Sequence, residues 1–463
     1  MQSLQVSQKD KLSYLRKKYP QFIYKSFKYS FFEAKKTLEI EFLFQIEDLT
    51  FRPKVEIGNI SNSTFKNLNG SILENFIFHL GLIEIPSYWK ATCSPIIKIE
   101  AGQLNEEQRA WWHGQIVSGL GEFFYQNNID FTLPDFLEIQ SDSPKTFQMD
   151  RKSSSESYIA LNGGGRDSAV TLELLKSQQV NISVLMLNPT AAALDVARVS
   201  EIQSEIIVNR QLDTKLLELN SAGFLNGHTP FSAYLAFLSV LCAYILGRKY
   251  TIASNERSSN EQNIEYLGKL INHQYSKSYN FEKSFREYGK SHLSSKIEYL
   301  SSLRPLYEIQ ISKIFTLYKK YFKAFKSCNV GQKTNSWCGQ CAKCLSIYIS
   351  LYPFLSEEDR SLIFPQDLYA NEELLGLLLH LTGIKKPKPF ECVGTYAEVL
   401  TGLRLSIQKL GQGSELPILL AYAKNNLLTA DTKEIDIAKD WDDENFLPES
   451  FSTFLQSKLK NGS

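Results

Sequence analysis

Apolar and polar residues alternate through "KSFKYSFFEAKKTLEIEFLF" (25–44) on either side of a polar centre. A period of two around a turn predicts a hairpin of half-buried strands. Two later segments, "FKNLNGSILENFIFHLGLIEI" (65–85) and "NEEQRAWWHGQIVSGLGEFFYQ" (105–126), carry helical spacing instead, and Asn105 is placed to cap the second, with Glu106 and Glu107 in its first turn. The stretch 140–157 is polar and serine-rich and reads as a linker. From Tyr158 the pattern changes to short apolar runs alternating with amphipathic ones: strands are predicted at 158–162, 182–187, 205–208 and 249–254, helices near 167–178, 194–204, 211–220 and 231–247. That alternation predicts an α/β fold, a parallel sheet with helices on both faces. Ligands of such sheets bind beyond the carboxyl ends of the strands, where the loops 162–168, 188–193 and 254–260 emerge. Beyond about 280 the chain reads as mostly helical. The expected division is an N-terminal α+β domain (1–150), a nucleotide-binding α/β domain (151–280), a helical region (281–430) and a polar tail (431–463).

Length and charge add limits. The 463 residues suit two or three domains, and the net charge of +1 supplies no overall field for nucleic acid or an anionic membrane. The opening "MQSLQVSQKDKLSYLRKKYP" is polar and does not read as a signal peptide. The longest apolar run, Phe231–Leu246, is short for a membrane span and contains Ser232, Tyr234, Ser239 and Tyr244; it reads as a buried helix. Seven cysteines, four of them clustered, argue for a metal site in a reducing, cytoplasmic compartment over a disulfide framework; Cys93 and Cys242 read as buried apolar residues.

Chemistry enters at "YIALNGGGRDSAV" (158–170), a strand, a glycine loop and a helix. Bare backbone at a helix N-terminus offers successive N–H donors to an anion, and a glycine keeps Cβ atoms out of the phosphate's way. Neither the P-loop pattern nor GxGxxG is present here. "GGGRDS" resembles the SGGxDS pyrophosphate loop of ATP pyrophosphatases, with Gly163 where that pattern has serine. On that reading Gly163, Gly164, Gly165 and Arg166 hold pyrophosphate, Ser168 donates to a phosphate and Asp167 helps hold Mg²⁺ or orders the loop. The alternative is a tight strand-to-helix turn.

"CNVGQKTNSWCGQCAKC" (328–344) places Cys328, Cys338, Cys341 and Cys344 at a spacing that suits four thiolates on a structural zinc, with an iron–sulfur cluster as the alternative. Polar strings interrupt the apolar pattern elsewhere: "NGHTPFSA" (226–233), "SNERSSNEQN" (254–263), "NHQYSKS" (272–278), "SLRPL" (302–306) and "KPFECVG" (388–394). Asn255, Glu256 and Arg257 follow a predicted strand and belong at the sheet's carboxyl edge, where a glutamate can bind magnesium and an arginine can fork a phosphate or carboxylate. His228, His273, Lys277 and Cys392 are candidates for proton transfer and Arg304 for a substrate carboxylate or diphosphate. A lone histidine is more often a satisfied structural residue than a catalyst, and Cys392 is either a catalytic thiol or a buried cysteine.

In this order, together with "SYWKA" (87–91) and "GLGEFFYQN" (119–127), the strings resemble the UDP-N-acetyl-α-D-muramoyl-L-alanyl-L-glutamate epimerases over roughly residues 80–395. The resemblance implies ATP- and Mg²⁺-dependent inversion of the terminal L-glutamate of the UDP-N-acetylmuramoyl-dipeptide, with release of AMP and pyrophosphate, in peptidoglycan precursor synthesis alongside an L-glutamate-adding ligase. Adenylating the α-carboxylate removes its charge and makes the carbonyl an electron sink, so a base can take the α-proton. Rival readings keep the loop and change the outcome. They are a carboxylate-adenylating enzyme like 7-cyano-7-deazaguanine synthase, a tRNA-modifying pyrophosphatase, and a non-catalytic ATP-binding protein.

Overall fold

The alternating segment folds as β1 (Gln21–Phe32) and β2 (Thr37–Ile46), antiparallel, reversing through a single 3-10 turn that ends with Lys36 at φ +51°. The computed structural model describes residues 8–152, 154–411, 413–429 and 434–461. Next come β3 (Leu49–Phe51), β4 (Lys54–Ile57), β5 (Ile96–Ile99) and β6 (Glu138–Ser141). The βα alternation follows with β7 (Ser155–Leu161), β8 (Asn181–Leu187), β9 (Glu205–Gln211) and β10 (Arg248–Glu256). A small hairpin, β11 (Ile264–Tyr266) and β12 (Lys269–Ile271), stands apart from the main sheet, and β13 (Glu298–Leu303) completes it.

The main sheet has eleven strands among the described residues, in the order β13-β10-β7-β8-β9-β4-β2-β1-β5-β6, with β3 on β2. The β13-to-β9 part is parallel, as the alternation predicts. The sheet as a whole is mixed and larger than expected, because β4 pairs antiparallel with β9 (Val55 opposite Arg210) and carries the sheet on through the hairpin. Period-two alternation sorts side chains to its two faces. Ile159, Leu185 and Ile206 belong to one core and Ala160, Val184 and Met186 to the other.

Helices cover both faces. Gly70–Trp89 and Phe231–Leu246 are apolar around most of their circumference and are correspondingly buried, packing on each other through Phe76 and Tyr244. The segment 105–126 forms two helices, Glu106–Gly119 and Gly121–Gln126, joined at Leu120, and Asn105 and Gln108 form a capping box. Strand β13 lies within the stretch that reads as helical; its "SS" pair is buried, and Ser302 hydrogen-bonds Thr171 at 2.8 Å, so polar residues hide a core strand. The last helix, Glu449–Asn461, buries Phe451, Leu455 and Leu459, spaced four apart. No helix of the described residues is long and apolar enough to cross a membrane.

Candidate active site

The glycine loop joins β7 to the helix Arg166–Ser177. Asn162 organises it: its Oδ1 accepts from Gly164 N–H at 2.8 Å and its amide donates to Ala193 O at 2.9 Å. Gly164 sits at φ +81°, and a Cβ there would lie 2.4 Å from Ala193 N, so only glycine fits. Gly163 has nothing within 4 Å of its Cβ direction. The serine of the ATP-pyrophosphatase pattern would therefore meet no obstacle. Ser168 Oγ accepts from Gly163 N–H at 3.2 Å. Gly165 stands at the helix N-cap, where its backbone is extended.

Around the loop is a cavity of about 290 Å³. Gly163, Gly165, Asp167, Ser168, Asn255 and Glu256 line it, and so do Lys277, Lys326, Lys343 and Cys392. An apolar shelf of Leu185, Leu187, Phe231 and Leu235 forms another part of its wall. Asn255 donates to Ser301 Oγ at 3.1 Å. Burial, together with the nearby charges of Asp167 and Glu308, pushes the Glu256 carboxyl up to about 7 against the opposing pull of Lys277.

A chain of ionisable groups leads away from this cavity. Lys277 Nζ donates to Cys392 Sγ at 3.1 Å, His273 stands near enough to the same sulfur to lower its pKa, and His273 Nδ1 is hydrogen-bonded to Glu122 Oε2. His228 Nδ1 lies 3.4 Å from the same carboxylate oxygen, and its ring centre is 4.5 Å from that of His273. Burial alone would lower His273, but hydrogen bonds to Cys392 and Glu122 lift it to about 9. Burial would raise Cys392, yet the Lys277 charge and the His273 hydrogen bond bring it to about 6. Both shifts favour a thiolate beside an imidazolium. Burial and the neighbouring cations hold His228 down to about 3, so it is uncharged. Burial and the Arg210 charge bring nearby Lys90 down to about 8. The ligand atoms of Glu122, His228 and His273 lie within 4.8 Å of one another, but the direct His273–Glu122 bond takes the space an ion would need.

The arginines stand elsewhere. Arg304 is fully buried beneath the site, its guanidinium held by Glu282 (2.7 and 2.9 Å), the Glu256 and Lys277 carbonyls and Ser259. Every face of the fork has a protein partner, and it shapes the backbone of Glu256 and Lys277. Arg166 is likewise buried, paired with Asp167 and Ser312 at 2.7 Å, and only its backbone belongs to the loop. Arg257 stacks on Tyr307 and pairs with Asp442 at 3.3 Å, outside the lining of the cavity.

The four cysteines converge, with all four sulfurs within 4.8 Å of one another and Cys338 Sγ 3.7 Å from Cys344 Sγ. Tetrahedral zinc with bonds of about 2.3 Å would space its sulfurs about 3.8 Å apart. Backbone N–H groups of Gly331, Cys338, Gln340 and Cys344 point at these sulfurs. The donor set fits a tetrahedral thiolate centre. The segment entering this knuckle also braces the glycine loop: Lys326 N–H donates to Gly164 O at 2.9 Å and Arg166 N–H to Ser327 Oγ at 3.4 Å. Cys93 and Cys242 are fully buried.

A second cavity has a volume of about 760 Å³, and Gly121, Asn272 and Ser278, the sequence neighbours of Glu122, His273 and Lys277, are among the residues that line it. Amides (Asn260, Gln262, Asn272, Asn280) and rings (Phe131, Tyr275, Tyr279) dominate its wall.

Glu122, Lys90, Lys326 and Lys343 were not singled out by sequence. Glu122 and Lys90 each lie within a resemblance string, and Glu122 is the one acid in the apolar helix "GEFFYQ", a signal in hindsight. Lys326 and Lys343 sit beside the cysteines, where the motif masked them.

Comparison with known proteins covers most of the chain. Residues 14–302 match the MurL N-terminal domain and residues 323–435 the MurL C-terminal domain. Three similar relatives carry the name UDP-N-acetyl-alpha-D-muramoyl-L-alanyl-L-glutamate epimerase. The one from a Micromonospora species is 31% identical over 72% of this chain and 75% of its own. That from Salinispora tropica is 30% identical over 70% and 71%, and that from Xanthomonas oryzae pv. oryzae 30% over 72% and 75%. No solved structure matches.

Proposed function

The chain belongs to the MurL family, and from that premise we propose that it inverts the terminal L-glutamate of UDP-N-acetylmuramoyl-L-alanyl-L-glutamate by way of an acyl-adenylate made from ATP, releasing AMP and pyrophosphate for peptidoglycan precursor synthesis. The observation that carries the adenylation step is the glycine loop opening into the same cavity as Lys277 and Cys392. The N–H groups of Gly163 and Gly164 turn inward to Ser168 Oγ and Asn162 Oδ1, so the donors that suit pyrophosphate are those of Gly165, Asp167 and Ser168 at the helix N-terminus, and the apolar shelf at Leu187 and Phe231 suits adenine. Asp167 and Glu256 supply two carboxylates for Mg²⁺, which would neutralise phosphate charge; burial first, and the charges of Asp167 and Glu308 second, raise Glu256, and a cation would offset both. The substrate carboxylate then attacks the α-phosphorus, a step that requires positioning and charge neutralisation.

Proton transfer at the α-carbon falls to the groups around Cys392: His273, Lys277 and the sulfur itself. His228, uncharged and beside Glu122, positions the His273 ring. The large cavity of amides and aromatic rings is assigned to the sugar-nucleotide end, with residues 113–134 of the N-terminal region forming part of its wall. The four-cysteine centre is assigned to structural zinc. Purified protein given ATP and Mg²⁺ should release pyrophosphate with this UDP-dipeptide and not with UDP-N-acetylmuramoyl-L-alanine, which lacks the glutamate. Equal release with both would refute the reading.

A further inference from the structure

Cys392 has more apparatus around it than a proton carrier needs. Its sulfur accepts from Lys277 Nζ at 3.1 Å and has His273 nearby, and His273 is in turn fixed by the buried carboxylate of Glu122. A carboxylate that orients an imidazole beside a thiol is an arrangement that can activate a sulfur nucleophile and later activate water. The sulfur lines the cavity of the glycine loop, where the adenylate would form. We propose that Cys392 attacks the acyl-adenylate, so that glutamate is epimerised as a thioester on the enzyme. This rests on the adenylation reading above.

The steps balance. The thiolate electron pair forms the C–S bond, and the C–O bond to AMP breaks with its pair on the phosphate oxygen. A sulfur donates weakly into the carbonyl, so the thioester keeps its α-proton acidic after AMP has left. Acylation removes one of the negative charges that keep Lys277 and His273 protonated, leaving Glu256 and Asp167 near Lys277 and Glu122 on His273, while burial continues to favour the neutral forms. Lys277 gives its proton to the departing AMP and solvent and takes the α-proton; His273 delivers its own proton to the other face of the carbon. Neutral His273 then takes a proton from water as the oxygen attacks the thioester. The C–S bond breaks with its pair returning to sulfur, the new carboxyl ionises to solvent, and the thiolate again faces two cations.

The test mixes wild-type protein with UDP-N-acetylmuramoyl-L-alanyl-L-glutamate, ATP and Mg²⁺, quenches in acid within a turnover, and weighs the intact protein and its Cys392 peptide. A mass gain equal to substrate minus water, on Cys392, is the expected result. Cys392→Ala should keep ATP–pyrophosphate exchange and lose AMP formation and inversion by about a hundredfold or more. Wild-type protein that makes AMP and D-glutamate without an adduct, or a Cys392→Ala variant that inverts glutamate within tenfold of wild type, would overturn the thioester. If wild type releases no pyrophosphate, the adenylation reading fails, and the thioester with it. Because the adduct is read on the wild-type chain, misfolding of the variant does not blur the outcome.

Discussion

Gly163 and Gly164 are adjacent and have opposite tolerances. Gly164→Ala brings a Cβ to 2.4 Å from Ala193 N at a positive φ, and should lose about 2–5 kcal/mol, read as a lowered denaturation midpoint. Gly163→Ser points into open space and should stay within about 0.5 kcal/mol of the parent. The departure from the serine-bearing loop is therefore a matter of a hydroxyl, with no steric cause. The Cys392–His273 pair sets the pH dependence. Activity that needs thiolate and imidazolium together rises through about 6, where Cys392 ionises, and falls through about 9, where His273 loses its proton. Glu122→Gln removes one of the partners that lift His273, so the alkaline limb of kcat/KM should move down toward the ordinary histidine range, about 6.5, and Glu122→Asp should restore part of it. An unmoved limb would mean that Glu122 has only a packing role. Most candidate side chains were legible as residues. Their company was not: Glu122 lies 151 positions from His273, a separation at which periodicity carries no information. The same holds for Arg304, whose partners Glu282 and the Glu256 and Lys277 carbonyls are not legible from its polar string.

At the scale of elements, the joint between β9 and the helix Gly70–Trp89 is held by Arg210 and Glu84, bidentate at 2.8 and 2.5 Å and almost wholly buried. Removing one partner leaves a buried charge without its mate; Glu84→Ala should cost about 3–5 kcal/mol in equilibrium unfolding. The cysteine knuckle is the second joint. It carries Lys326, Ser327 and Lys343 to the glycine loop's cavity, so stripping its metal with a chelator should lower the melting temperature and weaken ATP binding together. A melting change with unaltered ATP affinity would separate the knuckle from the loop. The βα elements from β7 to β10 and the hairpin were legible because their periods are clean. Strands β5, β6 and β13 were not. The first two are four residues long, and β13 carries two buried serines that read as surface.

For the whole molecule, one mixed sheet carries the glycine loop on its parallel half and, through β4 and β9, continues into the N-terminal hairpin. Nothing in local pattern specifies that an antiparallel pair will splice two regions, because register is decided by contacts distant in sequence. The consequence for function is geometric: Lys277 and Cys392 line the smaller cavity, and Gly121, Asn272 and Ser278, next in sequence to Glu122, His273 and Lys277, line the larger one, a layout that suits a substrate with a small reacting end and a bulky nucleotide end. The most direct measurement is the chirality of glutamate recovered by acid hydrolysis after purified protein has acted on UDP-N-acetylmuramoyl-L-alanyl-L-glutamate with and without ATP and Mg²⁺. The account predicts D-glutamate with a solvent-derived α-hydrogen, formed only when ATP is present. Glutamate that stays L while ATP is consumed, or that inverts equally well without ATP, would contradict it.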